Sequence, residues 1–172
     1  MAYNVAVIIG SLRKDSFTRK LVDAAVKLAP GNLKFETIDI GNLPLFNQDT
    51  EAGNDAVKTF RDKIAAADAV LFATPEHNRS VPAALKNALD WGSRPWGQSK
   101  WGGKPAAIIS TSIGNIAGFG ANHHLRQTLA FLNMPTLAQP EIYIGKTHTL
   151  FDEQGNLTNE DTKAFLTSAM AA

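Results

Sequence analysis

Short uninterrupted runs of apolar residues alternate along this chain with longer stretches in which apolar positions recur every three or four residues. Ala6–Ile9, Ala69–Ala73 and Ala106–Thr111 are runs of the first kind, and a short apolar run bounded by turn residues predicts a parallel strand covered on both faces. Leu33–Ile40 instead alternates apolar and polar residues, which predicts a strand that is half covered or close to a sheet edge. A fifth strand is expected within Thr136–Ile144, entered or interrupted at Pro140. Helical spacing joins Phe17, Leu21, Ala25 and Leu28. It also joins Val57, Phe60, Ile64 and Ala67, then Leu85, Ala88 and Leu89, then Leu125, Leu129 and Leu132.

The punctuation agrees with this division. The first helix begins near Ser16 or Phe17 and closes at Pro30-Gly31, and Asn54 caps the second. Ser80 is the expected cap of the third, with Pro82 in its first turn and its end near Trp91, while Pro135 stops the fourth. Thr158-Asn159-Glu160-Asp161 resembles a capping box for a last helix ending at Ala171-Ala172. Gly41–Gly53 reads as a loop over the end of the sheet, and Gly92–Gly103 as a surface loop carrying Trp96 and Trp101.

Strands alternating with helices in units of this length return the chain in one direction, so the expectation is an α/β fold with a five-stranded parallel sheet, residues 1–172 forming a single domain. With right-handed crossovers, the order 2-1-3-4-5 puts a switch point between strands 1 and 3. Ligands bind beyond the carboxyl ends of strands at such a point. The loops at Gly10, at Thr74-Pro75 and at Ser112 should therefore converge.

Composition narrows what they would hold. The chain has 172 residues, 44% of them hydrophobic, with 17 basic against 16 acidic side chains and a formal charge of +1. No overall field recommends nucleic acid or an anionic membrane as partner. Cysteine is absent, which removes thiol catalysis, disulfides and iron–sulfur ligation. With no signal peptide or apolar run of membrane length, a cytoplasmic protein is expected. The four histidines, His77, His123, His124 and His148, lack metal-ligand spacing, and adjacent His123 and His124 point to different sides of their helix. No G-x-S-x-G elbow offers a nucleophile. Trp91, Trp96 and Trp101 are expected at an interface or a cleft rim.

The Gly10 loop surrounds a helix start with Ser11, Arg13, Lys14, Ser16, Thr18 and Arg19. Unpaired amides, hydroxyls and cations at a helix N-terminus suit a dianionic phosphate. An ordinary cap with a solvated basic face fits the same residues. The loop lacks the later glycines of G-x-G-x-x-G and the G-K-[ST] ending of a P-loop, so a single phosphate is indicated rather than a pyrophosphate or triphosphate. After Thr74, Pro75 supplies no N–H, and the amides of Glu76, His77 and Asn78 suit the edge of a planar heterocycle such as a flavin; a polar turn capped by Ser80 fits them as well.

The stretches Gly10–Arg19, Thr74–Arg94 and Ser112–Gln127 together resemble the NAD(P)H-dependent FMN reductase family, in its chromate reductase and quinone reductase branch. The resemblance implies a flavodoxin-like three-layer sandwich that binds FMN non-covalently and assembles as a homodimer or homotetramer, with Arg126 and Glu141 at positions of subunit contact. It implies that Ser11, Arg13, Ser16, Phe17 and Thr18 hold the phosphate, that Pro75, Glu76, His77 and Asn78 border the isoalloxazine, and that Ser112 and Gly114 close its other side. Arg94 is the candidate for attracting an anionic substrate, with no metal site and no side chain as an indispensable acid or base. The sequence departs from the family pattern at His77, often Tyr, at Thr18, often Asn, and at Ala117-Gly118, which replaces a Gly-Gly pair. The expected activity passes hydride from NADH or NADPH to flavin N5 and electrons onward to quinones, free flavin or metal oxyanions such as chromate. A flavodoxin-like electron carrier without a nicotinamide site is the alternative, though such carriers are usually acidic and this chain is nearly neutral.

Overall fold

In the computed structural model, which describes residues 1–172, the uninterrupted apolar runs form the middle of one parallel sheet. Strands β1 (Tyr3–Ile9), β2 (Leu33–Ile38), β3 (Ala69–Thr74), β4 (Ala106–Thr111) and β5 (Ile142–Ile144) lie in the order β2-β1-β3-β4-β5, and every neighbouring pair is parallel. Successive side chains of a strand face opposite sides, and here both sides are covered. Ala6, Ile8, Val70, Phe72 and Ile108 meet α2 (Asp55–Ala66), α3 (Ala83–Gly92) and α4 (Phe119–Phe131) through Phe60, Ile64, Leu85, Leu89, Leu125 and Leu129. Val5, Val7, Ile9, Leu71 and Ile109 meet α1 (Phe17–Leu28) and α5 (Glu160–Ala171) through Leu21, Val22, Ala25 and Leu166. This is the expected flavodoxin-like three-layer sandwich. Burial on two sides is why the inner strands show no alternation, whereas the edge strand β2 leaves Lys34 and Glu36 exposed.

Several boundaries differ from expectation for local reasons. β2 stops at Ile38 rather than Ile40 because the Asp39 carboxylate accepts the Gly41 N–H at 2.9 Å and turns the chain. Only Ile142–Ile144 pair as β5, while Thr136 makes an isolated bridge to Ala106. Ser80 does not cap α3: Pro82 occupies the cap position without a side-chain bond. α5 is capped by Asn159, whose Oδ1 accepts from the Thr162 amide at 2.9 Å, and not by a box built on Thr158, whose hydroxyl donates to Leu150 O at 3.2 Å. The Gly41–Gly53 loop is strapped to α3. Pro44 O accepts from Trp91 Nε1 at 2.7 Å and from Asn87 Nδ2 at 2.9 Å, and Phe46 N–H donates to Asn87 Oδ1 at 2.8 Å.

The tryptophans divide. Trp96 is 80% exposed, but Trp91 and Trp101 are core residues at 1% and 0%, which corrects the interface or rim role expected for them. Trp101 lies within 6.0 Å of Phe60 and 5.8 Å of Phe72 between ring centroids, and its Nε1–H donates to Leu89 O at 2.9 Å. Burying an indole removes about 200 Å² from water, on the order of 5 kcal/mol at ~25 cal/mol/Å², enough to draw a glycine-rich loop onto the helices. Gly92 makes the room, because a Cβ there would sit 2.3 Å from Trp101 Cε2. Gly92→Ala should therefore cost about 2–3 kcal/mol through displacement of that ring. Urea unfolding of the variant beside the unaltered chain measures it, and an unchanged midpoint would contradict the packing described.

Candidate functional site

Parallel pairing brings the carboxyl ends of β1, β3 and β4 side by side, and the loops that leave them share one edge of the sheet. Gly10 N–H donates to Ala73 O at 2.8 Å, and Thr74 stands in register with Ser110. A Cβ on Gly10 would lie 3.2 Å from Leu85 Cδ2, so the first loop is seated directly against α3. The three loops singled out by sequence are thus neighbours.

Ser16 is the N-cap of α1 and is 3% exposed; its Oγ accepts from Arg19 N–H at 3.2 Å, which leaves its own hydroxyl hydrogen free to donate. From Ser11 through Thr18 no backbone amide finds an acceptor within the chain. Arg13 and Lys14 are exposed beside them, Ser11 and Phe17 are half-buried, and Thr18 is buried. Lys20 Nζ lies 5.6 Å from the Phe17 ring centroid. A run of open amides ending in a helix start, with cations around it and no acidic residue in the first turn of α1, is a cradle for a small dianion.

The second loop is a tight hairpin turn. His77 N–H donates to Ser80 O and Ser80 N–H to His77 O, each at 3.0 Å, with Asn78 and Arg79 at φ 50° and 68°. Positive φ at both central residues with reciprocal bonds is the type I′ arrangement. The His77 amide is therefore engaged, while those of Glu76 and Asn78 have no acceptor in the chain. The imidazole of His77 is exposed, Pro75 is half-buried, and Thr74 donates its hydroxyl to Pro75 O at 2.6 Å.

In the third loop Ser112 Oγ accepts from Gly114 N–H at 3.2 Å and lies 3.1 Å from Gly114 O, so these two residues close a turn on themselves. The amides of Ile113, Asn115 and Ile116 remain without acceptors, donors that sequence reasoning missed because it named only Ser112 and Gly114 in this loop. Ala117 (φ 58°) and Gly118 (φ 76°) both adopt left-handed backbone. The Gly-Gly pattern of the resembling family answers that need, and this chain meets it with one alanine. Exposed Ile113, Ile116 and Phe119 stand on this loop and the start of α4. Phe119 also packs on His123 at 4.2 Å between centroids, and His123 Nε2 lies 3.0 Å from Tyr143 Oη.

Arg94 is set apart from these loops. Its Nε lies 3.7 Å from Glu51 Oε1 and its guanidinium lies over Phe46 and Trp96, in a cavity of about 240 Å³ also lined by Asn54, Lys58 and Arg61. A larger groove of about 1010 Å³ runs from His77 and Asn78 between α3 and α4 to Phe131.

Residues 3–149 match the model of the NADPH-dependent FMN reductase family. The chain belongs to this family. A quinone reductase from Pseudomonas putida is 56% identical over 166 residues, covering 95% of this chain and 89% of that one. A 2-hydroxy-1,4-benzoquinone reductase from a Burkholderia species is 48% identical over 171 residues, covering 99% and 93%. Among solved structures, the flavoenzyme NAD(P)H:(acceptor) oxidoreductase FerB from Paracoccus denitrificans superposes with a TM-score of 0.92 at 42% identity, covering 98% and 93%. As a member of the NADPH-dependent FMN reductase family the chain is an oxidoreductase using FMN and NAD(P)H. The donor set fits: the open amides and hydroxyls of the Gly10 loop suit the phosphate, and unpaired amides on the other two loops suit a heterocycle edge.

Tyr143 supplies a pH signature of this region. Burial, with a further contribution from the Glu141 carboxylate, pushes its phenol from 10.0 up to about 12. The folded state favours the protonated phenol, so the resulting stability is fully present below pH ~10 and is lost as the pH rises towards the folded value. Near-ultraviolet absorbance should show a tyrosinate step near pH 12 that disappears in Tyr143→Phe. Ionisation of both tyrosines near the ordinary value would contradict it.

Proposed function

We propose that this chain is an NAD(P)H-dependent quinone reductase holding FMN at the carboxyl edge of its sheet, with free flavin and metal oxyanions such as chromate as further acceptors. The observation that carries this reading is the unbroken series of open amides from Ser11 through Thr18, ending at a helix start capped by Ser16. FMN, when bound, supplies the redox chemistry between the nicotinamide and the acceptor. The protein holds and orients. Ser11, Arg13, Ser16 and Thr18, with the amides of Phe17 and Thr18, hold the phosphate. Pro75, Glu76, His77 and Asn78 border the isoalloxazine, chiefly through the Glu76 and Asn78 amides, and Ser112 and Gly114 shape the loop on its other side.

The exposed apolar side chains of Leu12, Ile113, Ile116 and Phe119 keep the surroundings of this edge apolar, which suits a flat aromatic acceptor. Arg94 is assigned to the attraction of an anionic substrate, at a distance from the three loops. The purified protein should show a flavin spectrum after incubation with FMN, and anaerobic NADPH or NADH should bleach it rapidly, with reoxidation on addition of a benzoquinone. Tight FMN binding with no bleaching by either nicotinamide would support an electron carrier instead.

Arg13→Ala should weaken FMN binding by ~1.5–3 kcal/mol, the scale of a lost hydrogen bond to a charged group. Riboflavin, which lacks the phosphate, should lose far less; equal losses, read by fluorescence titration of the apoprotein, would move the phosphate elsewhere.

Assembly as a homodimer that pairs into a homotetramer completes the proposal. It is supported by the groove between α3 and α4 and by exposed Phe131 and Trp96. Arg126 is held within the chain by bonds from Nε to Asn122 Oδ1 and from Nη1 to Leu137 O, each at 3.0 Å. It would therefore act at an interface as a fixed surface rather than a swinging cation. Light scattering at micromolar concentration should report an oligomer, and an active monomer would refute this part.

A further inference from the structure

The side chain of Glu76 turns away from the role that its backbone suits. Its Oε2 accepts the Ala121 N–H at 3.1 Å, its Oε1 meets Arg79 Nη1 at 3.2 Å, and only 11% of the side chain is exposed. Ala121 is in the first turn of α4, whose cap position is Gly118 with no side-chain bond. An acceptor that this helix lacks locally is thus brought from a loop 45 residues away in sequence.

The two segments are built to approach. A Cβ on Gly120 would stand 2.7 Å from Arg79 O and 3.0 Å from Glu76 Oε2. One helical turn further along, His124 Nδ1 lies 2.8 Å from Ser80 Oγ. Gly120 and His124, four residues apart, share a helix face. The turn therefore meets α4 at both ends, while Asn78 and Arg79 between them hold a left-handed backbone. Residues in that region persist when their surroundings over-determine them.

We infer that Glu76 is a positioning residue for the flavin: its carboxylate clasps the His77–Ser80 turn to the first turn of α4 and so fixes the Glu76 and Asn78 amides along the ring edge. This rests on the flavin reading proposed above. The carboxylate also answers the positive end of α4 internally, whereas the start of α1 has no acidic residue in its first turn.

Three variants test the inference by titrating the apoprotein with FMN and with riboflavin and by following amide hydrogen exchange without flavin. Glu76→Ala removes the acceptor and should weaken both flavins by about tenfold, the factor expected for one lost charge-assisted bond. Glu76→Gln keeps an oxygen for the Ala121 N–H and should stay within about threefold of the unaltered chain, a rescue that loss of charge alone would not produce. Gly120→Ala wedges the clasp from the α4 side and should reproduce the alanine result should Glu76→Ala fold poorly. Exchange at the Ala121 and His77 amides should quicken in Glu76→Ala and Gly120→Ala, with the α1 amides unchanged. Unaltered affinity in both of these variants, equal weakening by Ala and Gln at position 76, or unchanged exchange at Ala121 would overturn the clasp. Failure of the unaltered chain to bind either flavin would overturn the functional reading, and the exchange measurement would still decide the clasp.

Discussion

The contact on which the site depends is the approach of Gly10 to β3 and α3. Its amide is bonded to Ala73 O, and the absence of a side chain leaves Leu85 at van der Waals distance from the backbone. A Cβ here would stand 3.2 Å from Leu85 Cδ2 and 3.4 Å from Ala73 O, so a larger residue would require a shift of a few tenths of an ångström in a fully buried Leu85. With Gly10 in place, the first loop is seated against β3 and α3, and the open amides of three separate segments lie along one edge of the sheet.

The N-termini of α1 and α4 both lie at this edge, and the chain treats them differently. α1 is capped by its own Ser16 but has no acidic residue in its first turn and exposed cations before it. α4 starts at a glycine and receives the Glu76 carboxylate from the neighbouring loop. One end is electrostatically satisfied within the chain and the other is available to an external anion. A near-zero net charge is compatible with anion binding on these terms, because the field that matters is local to one helix turn.

Aromatic residues reinforce the arrangement from the other side of the sheet edge. Trp91 and Trp101 fill the space around α3, and Trp91 together with Asn87 ties down the loop that follows β2. α3 is consequently braced along its length while its amino end carries the residues that follow the His77 turn. Rigid support beneath flexible-looking loops is the usual requirement for holding a ligand in one orientation.

Periodicity marked the alternation of strands and helices: Ala6–Ile9, Ala69–Ala73 and Ala106–Thr111 read as strands buried on both faces, the helices between them leave few right-handed topologies, and the family resemblance supplied the flavodoxin-like layer arrangement that the sheet order β2-β1-β3-β4-β5 bears out. The loops at Gly10, Thr74 and Ser112 were legible for the same reason, since topology puts the carboxyl ends of adjacent parallel strands together. Local signals failed where a distant partner competed with them. Ser80 and Thr158 look like caps, yet Ser80 is drawn to His124 and Thr158 to Leu150. Trp101 sits in a glycine-rich stretch that reads as exposed, and only the hollow left by Gly92 between packed helices decided its burial. The partner of Glu76 was equally invisible, because a hydrogen bond spanning 45 residues depends on where two loops are carried by the sheet and not on the residues beside either. Sequence determined which segments form the edge, and tertiary packing decided which of their polar groups are satisfied within the chain and which remain for a ligand.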